Sequence, residues 1–456
     1  FLIHPSCLVL ALLLLSNPIL AKDTELESGS NRPNIVLIYI DDLGYGDISS
    51  FGCEDIPTPN IDQLAAEGVR CTASYITNPP CCPSRCSLLM GQYRQRFGKY
   101  GMSRGLPIPT DRPTIADFLH DAGYVTAQIG KWDIGTRRQG PLSTGFTVVA
   151  RNPPRKKYTQ QELKALPKNV GEALKRKDGK SKYFCLDESG KSRWLTDYDG
   201  DMMTDFIDQH KDAPFFLYWS PEAVHSPSME CPERLMKRTT ATGKRRKLAG
   251  AIVSVDDQIG KLLKALDSHN LRHNTLIIFS SDNGPTHIKH VDIDFFNSAG
   301  PFLNSENTVK GNLNEGGIRV PTIVAWPDVI SSGSESNHPS TFYDYLATVS
   351  DLVGVSPPYK TDGLSFLPTL KGKTQEKHKY LYWEFPSYGG QQAIRIDKWK
   401  GIKKELFKGE SKLKLYNLSV DSGELNDVAS EHPDIVKNME KMMKEAHKTP
   451  TMDIFK

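Results

Sequence analysis

The chain has 456 residues, of which 38% are hydrophobic and 24% are charged, and its formal net charge at pH 7 is +3. A chain of this length has enough apolar material for one large domain and a smaller one. The nearly balanced charge gives no support to a nucleic-acid-binding protein, which would carry a large positive excess.

The first segment, residues 1–21, has the pattern of a secretory signal peptide. Its apolar stretch at 8–15 is followed by Pro18 and by the small residue Ala21. This pattern predicts a secreted, periplasmic or lumenal protein. No segment is long and apolar enough to cross a bilayer, so we expect no membrane contact after signal cleavage. Export permits disulfides, and the cysteine spacing leaves their pairing open.

Apolar runs alternate with helical patterns between residues 22 and 373. A continuous apolar run is typical of a parallel strand buried on both faces, and alternation with helices indicates an α/β domain. We therefore predict a large domain with a mostly parallel sheet flanked by helices. The expected strands are 34–40, 125–130, 214–219, 275–281 and 321–326, and the expected helices are 59–67, 84–91, 113–122, 198–211, 247–268 and 341–353.

The pattern changes in residues 374–456, where the apolar segments are short and a single helix follows them. This predicts a smaller antiparallel α+β subdomain with one packing helix. The expected elements are strands at 380–385, 391–396, 399–403 and 415–418, and a helix at 433–446. The predicted organisation is therefore a signal peptide at 1–21, a large domain at 22–373 and a C-terminal subdomain at 374–456.

The segment from Cys81 to Gly91 carries the strongest chemical signal in the chain. It reads Cys-Cys-Pro-Ser-Arg-Cys-Ser-Leu-Leu-Met-Gly, in which Pro83 favours a helix start and Arg85 adds a fixed cation. A guanidinium near the positive end of a helix favours an anion beside Cys81. The pattern Cys-x-Pro-Ser-Arg-x-x-x-Leu-x-Gly resembles the signature of the type I sulfatases, with Met90 where that family usually has threonine.

That resemblance implies an alkaline-phosphatase-like fold and hydrolysis of sulfate esters, as in arylsulfatases and N-acetylgalactosamine-6-sulfatases. It also implies that a formylglycine-generating maturation enzyme oxidises Cys81 to Cα-formylglycine. The hydrated aldehyde of this residue is the nucleophile of the family. Such a protein is therefore expected to have two partners, the maturation enzyme and a sulfated substrate.

Four hard oxygen donors follow two of the predicted strands, namely Asp41 with Asp42 and Asp282 with Asn283. Three carboxylates brought together would repel one another by roughly 4 kcal/mol per pair at about 4 Å and an effective dielectric of about 20. A divalent cation removes that repulsion, and oxygen donors suit calcium, with magnesium second, better than zinc. The resemblance implies the same four ligands, with the formylglycine from Cys81 as a further one.

A sulfate ester is an anion, so a sulfatase needs permanent cations near the reacting group. The resemblance implies this role for Arg85, Lys131 and Lys310. His225 is similar to the family histidine that contacts the sulfate and protonates the leaving alcohol, and imidazole titrates near neutrality, as that task requires. His287 either contacts substrate or serves only its own loop.

Asp133 departs from the family pattern, which usually reads Gly-Lys-Trp-His where this chain reads Gly-Lys-Trp-Asp. The family histidine helps to eliminate sulfate and to regenerate the aldehyde. A carboxylate can also accept that proton, although it adds negative charge near a sulfate. Asp133 is therefore either a replacement base or a residue that points away while another takes over.

Basic segments give the sequence signal for the substrate. Residues 151–193 contain 13 Lys or Arg against 5 Asp or Glu, and Lys244-Arg245-Arg246-Lys247 forms a second cluster. Such runs are usually solvated helix faces, but beside a cleft they would suit a polyanionic chain. We therefore expect a sulfated carbohydrate rather than a small aryl sulfate. Two alternatives stay open: a phosphonate or phosphodiester hydrolase with the same site, and a non-catalytic glycan-binding relative.

Overall fold

The computed structural model of the protein describes residues 32–97, 107–136, 138–150, 153–157, 159–165, 180–187, 189–225, 231–287, 293–357, 359–409 and 411–449. The predicted signal peptide lies outside these ranges, as do parts of the basic segment 151–193. Within them, no helix combines the length and the apolar character needed to cross a membrane. The seven cysteines in these ranges carry free thiols.

The described part of the chain forms one large sheet and two small ones. Its strands are β1 (Asn34–Ile40), β2 (Gly68–Tyr75), β3 (Val125–Gly130), β4 (Val148–Val149), β5 (Arg155–Lys157), β6 (Lys180–Leu186), β7 (Ser192–Trp194), β8 (Phe215–Ser220), β9 (Thr275–Ser281), β10 (Arg319–Ala325), β11 (Ser334–Ser336), β12 (Ser340–Thr341), β13 (Leu381–Phe385), β14 (Gln391–Ile396), β15 (Trp399–Lys404) and β16 (Lys414–Asn417). The large sheet has the order β11-β2-β10-β9-β1-β8-β3-β4, with β12 paired to β2. The small sheets have the orders β13-β14-β15-β16 and β5-β6-β7.

Strand β1 shows why the large sheet forms. All of its residues are buried, because Ile35 and Leu37 pack in one hydrophobic core and Val36 and Ile38 pack in another on the opposite face. It pairs in parallel with β8 and β9, and β8 pairs in parallel with β3. The predicted α/β fold with a mostly parallel sheet is confirmed, and each predicted strand of the large domain belongs to this sheet, although β10 runs antiparallel to β9.

Helices contribute to both cores. The described helices are α1 (Pro59–Glu67), α2 (Cys81–Met90), α3 (Ile115–Asp121), α4 (Gln160–Ala165), α5 (Leu195–His210), α6 (Glu233–Met236), α7 (Arg245–Ser268), α8 (Ile293–Phe296), α9 (Glu315–Ile318), α10 (Asp344–Val353), α11 (Leu367–Leu370) and α12 (Pro433–Ala446). Side chains of α2, α3 and α10 join the core that contains Ile35, and side chains of α1, α5 and α7 join the core that contains Val36. The sheet is therefore covered on both faces.

The predicted helices and strands have boundaries that differ from the observed ones by up to three residues, and strand β2 was missed. The helix expected at 84–91 begins earlier, at Cys81, because a proline in the first turn removes an N–H that has no partner within the helix. The strand β2, Gly68–Tyr75, was not predicted, since the polar residues Arg70 and Thr72 interrupt its apolar pattern and it follows α1 directly. It lies next to β10 and runs antiparallel to it.

The antiparallel sheet β13–β16 and helix α12 lie within the predicted C-terminal subdomain. Leu381 and Trp383 pack into the core of the large domain, whereas Tyr382 packs with Met439 of α12. A fully buried Lys400 lies between two carboxylates, 2.7 Å from Glu315 and 2.8 Å from Glu424. The small sheet is thus joined to the large domain through apolar and ionic contacts, and the boundary at residue 374 stays a prediction.

Candidate active site

The site lies at one edge of the large sheet. Four adjacent parallel strands, β9, β1, β8 and β3, end at this edge. Asp41 and Asp42 directly follow β1, Asp282 and Asn283 follow β9, and Lys131 follows β3. The backbone N–H of Asp42 donates a hydrogen bond to Asp282 Oδ1 at 3.2 Å. Sheet topology therefore joins the two acidic pairs that the sequence separates widely.

Helix α2 brings Cys81 and Arg85 to the same edge. All of its residues are buried, and the Arg85 side chain is fully enclosed. Arg85 Nε donates to Asp282 Oδ2 at 2.8 Å, and Nη2 lies 2.7 Å from the same oxygen. This guanidinium–carboxylate pair fixes the start of α2 against the end of β9.

Two residues that hold Arg85 were missed by the sequence analysis. Arg85 Nη1 donates to the Tyr218 hydroxyl at 3.1 Å and also to Ser220 Oγ. Both side chains come from β8 and, being two positions apart, point to the same face of the sheet. Their alternate positions could have indicated a polar pair on one face of the strand. The run from Pro214 to Trp219, however, has the apolar pattern of a strand that is buried on both faces.

Each acidic residue after β1 has its own lysine. Lys131 Nζ donates a hydrogen bond to Asp41 Oδ2, and Lys310 Nζ donates one to Asp42 Oδ1. Lys310 Nζ also lies 3.5 Å from Cys81 Sγ. Both lysines therefore form ion pairs with buried carboxylates, and Lys310 also faces Cys81, the predicted reactive position.

Burial and neighbouring charges shift the pKa values of the acidic groups. Burial alone would raise the pKa of Asp41, but the combined attraction of Lys131, His225, Lys310 and Arg85 outweighs it and holds that pKa well below its usual range. Burial, followed by repulsion from Asp41, raises the pKa of Asp282 to about 7. Burial, with repulsion from Asp41 and Asp282, also raises the pKa of the Cys81 thiol. These surroundings disfavour a thiolate at Cys81.

Several buried oxygens fit a cation. Among the described residues, Asp41 Oδ1, Asp42 Oδ2 and Asn283 Oδ1 have no hydrogen-bond donor. Ligand atoms of Asp41, Asp42, Cys81 and Asp282 lie within 4.8 Å of one another. Buried polar atoms without partners are rare, and hard oxygen donors are what calcium and magnesium prefer. The residues present therefore fit a divalent metal ion.

Asp133 and His225 lie where the buried charges meet solvent. Asp133 Oδ2 is 3.6 Å from Lys131 Nζ, and His225 Nε2 is 3.9 Å from Asp42 Oδ2. Their side chains are 16% and 18% exposed, whereas that of Asp42 is fully buried. The Tyr183 hydroxyl donates to the backbone carbonyl of His225. Two groups able to transfer protons therefore face the site from its open side.

His287 extends the site away from the carboxylates. Its ring centroid lies 6.2 Å from that of Tyr388, with the planes at 66°. Its Nδ1 is buried and has no hydrogen-bond partner among the residues described. Tyr388 lies in the turn between β13 and β14 and was not singled out from the sequence.

Part of the second basic cluster, residues 244–247, has a structural role. Arg245 is buried, with Nη1 at 2.9 Å from Asp47 and Nε at 2.7 Å from Asp55. Arg246 Nη2 lies 2.9 Å from Glu233. These carboxylates neutralise two charges of the cluster, so it is not the free basic surface that a polyanion would need.

Comparison with known proteins gives a consistent result. A family profile described as Sulfatase matches residues 33–355, and one described as N-sulphoglucosamine sulphohydrolase, C-terminal, matches residues 309–449. The N-acetylgalactosamine-6-O-sulfatase of Bacteroides thetaiotaomicron is 30% identical and the alignment covers 91% of this chain and 93% of that protein. The human N-acetylgalactosamine-6-sulfatase is 32% identical, over 77% of this chain and 68% of that protein.

A solved structure, Ps i-CgsB in complex with k-i-k-neocarrahexaose, superimposes with a TM-score of 0.74 and 27% identity, covering 92% of this chain and 94% of that chain. The Sulfatase profile spans the whole site, from Asp41 to Lys310. The chain therefore belongs to the sulfatase family and is a sulfuric ester hydrolase.

Proposed function

We propose that the protein removes sulfate from a sulfated glycan, using a Cα-formylglycine made from Cys81 and a bound divalent cation. The observation that carries this proposal is the set of donor-free buried oxygens on Asp41, Asp42 and Asn283. Cys81 belongs to the same cluster of ligand atoms. A cation held there would lie beside the residue at position 81.

The ligand set favours an oxygen at position 81. Asp41, Asp42 and Asp282 would hold the cation with the amide oxygen of Asn283, and hard cations bind oxygen in preference to sulfur. A formylglycine at position 81 would complete an all-oxygen set, for which we propose calcium, with magnesium as the alternative. When bound, the cation and the hydrated aldehyde would supply charge stabilisation and an oxygen nucleophile. A formylglycine-generating enzyme is therefore a required partner.

The charges at the site suit an anionic substrate. With all three aspartates ionised around a bound divalent cation, Arg85, Lys131 and Lys310 would balance the carboxylates, and the cation would leave a net charge of about +2 on this set. Asp133 reduces that excess by one. The remaining positive charge would attract a sulfate group, and the two lysines would neutralise its oxygens as charge moves to the leaving group.

Two residues at the open side of the site, His225 and Asp133, would carry out the proton transfers. We assign protonation of the leaving oxygen to His225 Nε2, which faces the carboxylate of Asp42 at 3.9 Å. We assign acceptance of the proton, when sulfate departs and the aldehyde is restored, to Asp133. Lys131, at 3.6 Å, keeps the Asp133 carboxylate near the site.

The substrate class follows from the relatives. Two are named for N-acetylgalactosamine 6-sulfate, and a third was crystallised with k-i-k-neocarrahexaose. We propose a glycan of this kind, with N-acetylgalactosamine 6-sulfate as the first probe. We also propose that residues 1–21 direct export, that the protein is secreted, periplasmic or lumenal, and that residues 22–373 carry the catalytic domain and 374–456 the C-terminal subdomain.

The proposal is tested by sulfate release. The protein, produced with a formylglycine-generating enzyme, is incubated with N-acetylgalactosamine 6-sulfate, with a sulfated carrageenan oligosaccharide and with an aryl phosphodiester. Inorganic sulfate is quantified by ion chromatography, and the phenol released from the phosphodiester is quantified by its absorbance. We expect sulfate from at least one sugar and none from the Cys81→Ala variant. Faster turnover of the phosphodiester would favour a phosphodiester hydrolase, and binding of the sugars without sulfate release would favour a glycan-binding relative.

A further inference from the structure

The hairpin between β13 and β14 presents an exposed aromatic ring beside the site. Tyr388 is 59% exposed, and its backbone has a φ of +54°, a left-handed conformation that bulky residues rarely adopt. Gly389 and Gly390, which follow it, have φ values of +80° and +82°. The turn therefore holds a large side chain outward at a position where a small residue would be less strained.

Buried hydrogen bonds fix this hairpin to the segment that carries Lys310. Gln391 is 1% exposed, and its Oε1 accepts from the Leu313 N–H at 3.2 Å. Its Nε2 donates to the Gly311 carbonyl, also at 3.2 Å. One amide thus clamps both sides of a short turn next to Lys310.

The Tyr388 ring also lies directly on Gly311. A Cβ atom at position 311 would be 2.7 Å from Tyr388 Cε2, so glycine is needed there for the ring to approach. Lys310 precedes Gly311, and its Nζ lies 3.5 Å from Cys81 Sγ. The ring therefore contacts the residue next to the lysine whose amino group reaches the reactive position.

Two further rings lie near that of Tyr388, Phe385 at 6.1 Å and His287 at 6.2 Å, both steeply inclined to it. The Nδ1 atom of His287 is buried without a hydrogen-bond partner among the described residues. An aromatic face next to an unsatisfied polar atom is the combination that binds a sugar, whose ring has apolar C–H faces and polar hydroxyl edges.

We infer that Tyr388 is a specificity-determining residue, whose exposed face stacks on the sugar ring that bears the sulfate ester. This inference rests on the proposed function, because it takes the sulfate to lie between Lys310 and position 81. The sulfate would then be held by the large domain and the sugar by the C-terminal hairpin. Selectivity for a glycan would come from a residue outside the sulfatase signature.

Substitutions of Tyr388 test the inference. For sulfate release from N-acetylgalactosamine 6-sulfate, Tyr388→Ala should raise KM about tenfold and leave kcat within about twofold, since a stacked ring pair is worth a loss of this size. Tyr388→Phe keeps the ring and should behave like the unsubstituted protein. Leu425→Ala removes another exposed apolar side chain of the same subdomain, 68% exposed, and should also change nothing.

A binding measurement separates this inference from the proposed function. The Cys81→Ala protein and a Cys81→Ala, Tyr388→Ala protein are titrated calorimetrically with the same sugar, so that no turnover is required. A tenfold weaker Kd for the double variant supports the stacking. An equal Kd overturns it, as does a Tyr388→Phe variant as weak as Tyr388→Ala. Absence of sulfate release together with Tyr388-dependent binding would instead overturn the proposed chemistry alone.

Discussion

The two sides of the site are built differently. The buried floor consists of Asp41, Asp42, Cys81, Arg85, Asp282 and Asn283, which lie at strand ends and on α2, and these side chains are almost completely enclosed. The open rim, which consists of Asp133, His225, His287 and Tyr388, comes from loops and from a C-terminal hairpin. The floor fits chemistry that a whole family shares, whereas the rim holds Asp133, where this chain departs from the family pattern, and Tyr388, which lies outside the family signature.

Substitution of Cys81, the reactive position of the floor, should abolish almost all activity. Cys81→Ala removes the precursor of the proposed nucleophile and should lower kcat by at least about 10⁴-fold, the range seen when a catalytic unit loses its nucleophile. Cys82 is the matched control, because it is the next residue of α2 and is equally buried. Cys82→Ala should keep most of the activity, measured as initial rates of sulfate release. Equal loss in both variants would mean that the helix, not Cys81 itself, is required.

Removal of the metal should have the next largest effect. Dialysis against a chelator should lower activity by about 100-fold or more, since a cation stabilises developing charge by several kcal/mol. The melting temperature should also fall, because a cation at a hundred times its Kd stabilises the fold by about 2.7 kcal/mol. Added calcium should restore both quantities more fully than magnesium. Unchanged melting and activity in the chelator would contradict a metal in the floor.

At the rim, Asp133 should matter less than the floor residues. Asp133→Ala removes the proposed base and should lower kcat by about 100-fold, a typical contribution of a general base. Asp133→His introduces the residue usual in the family and should retain measurable turnover. If Asp133→Ala retained full kcat, the carboxylate would have no part in proton transfer.

The smallest expected effect on kcat comes from Gln391, which joins the hairpin of the rim to the segment that carries Lys310. Gln391→Ala breaks the clamp on the turn beside Lys310 and should lower kcat about tenfold, because small misplacements of a catalytic group are costly. Gln392 is the control, since it is the next residue of β14 and is only half-buried. Gln392→Ala should leave kcat unchanged. Equal behaviour of the two variants would show that the clamp does not position Lys310.

The sequence predicted the floor better than the rim, for physical reasons. A run such as β1 is apolar throughout because both of its faces are buried, so the strand and the polar residues at its end could be located. The Cys81 motif is local and could be recognised by its spacing. The contact between Gln391 and the Gly311 turn joins distant parts of the chain through one side-chain amide, and no local sequence pattern predicts it. The strand Gly68–Tyr75 was missed because half-buried polar residues interrupt the continuous apolar run by which the other strands of the sheet were located.

Mass spectrometry of the peptide that contains Cys81 tests the central claim most directly. The protein should come from a secretory route that supplies the maturation enzyme, and the peptide should be analysed after reduction and alkylation. We predict an aldehyde at position 81, seen as loss of the alkylatable thiol and formation of a hydrazone with a hydrazide reagent, while Cys82 and Cys86 remain alkylated. An intact, alkylated Cys81 in a preparation that releases sulfate would contradict the account.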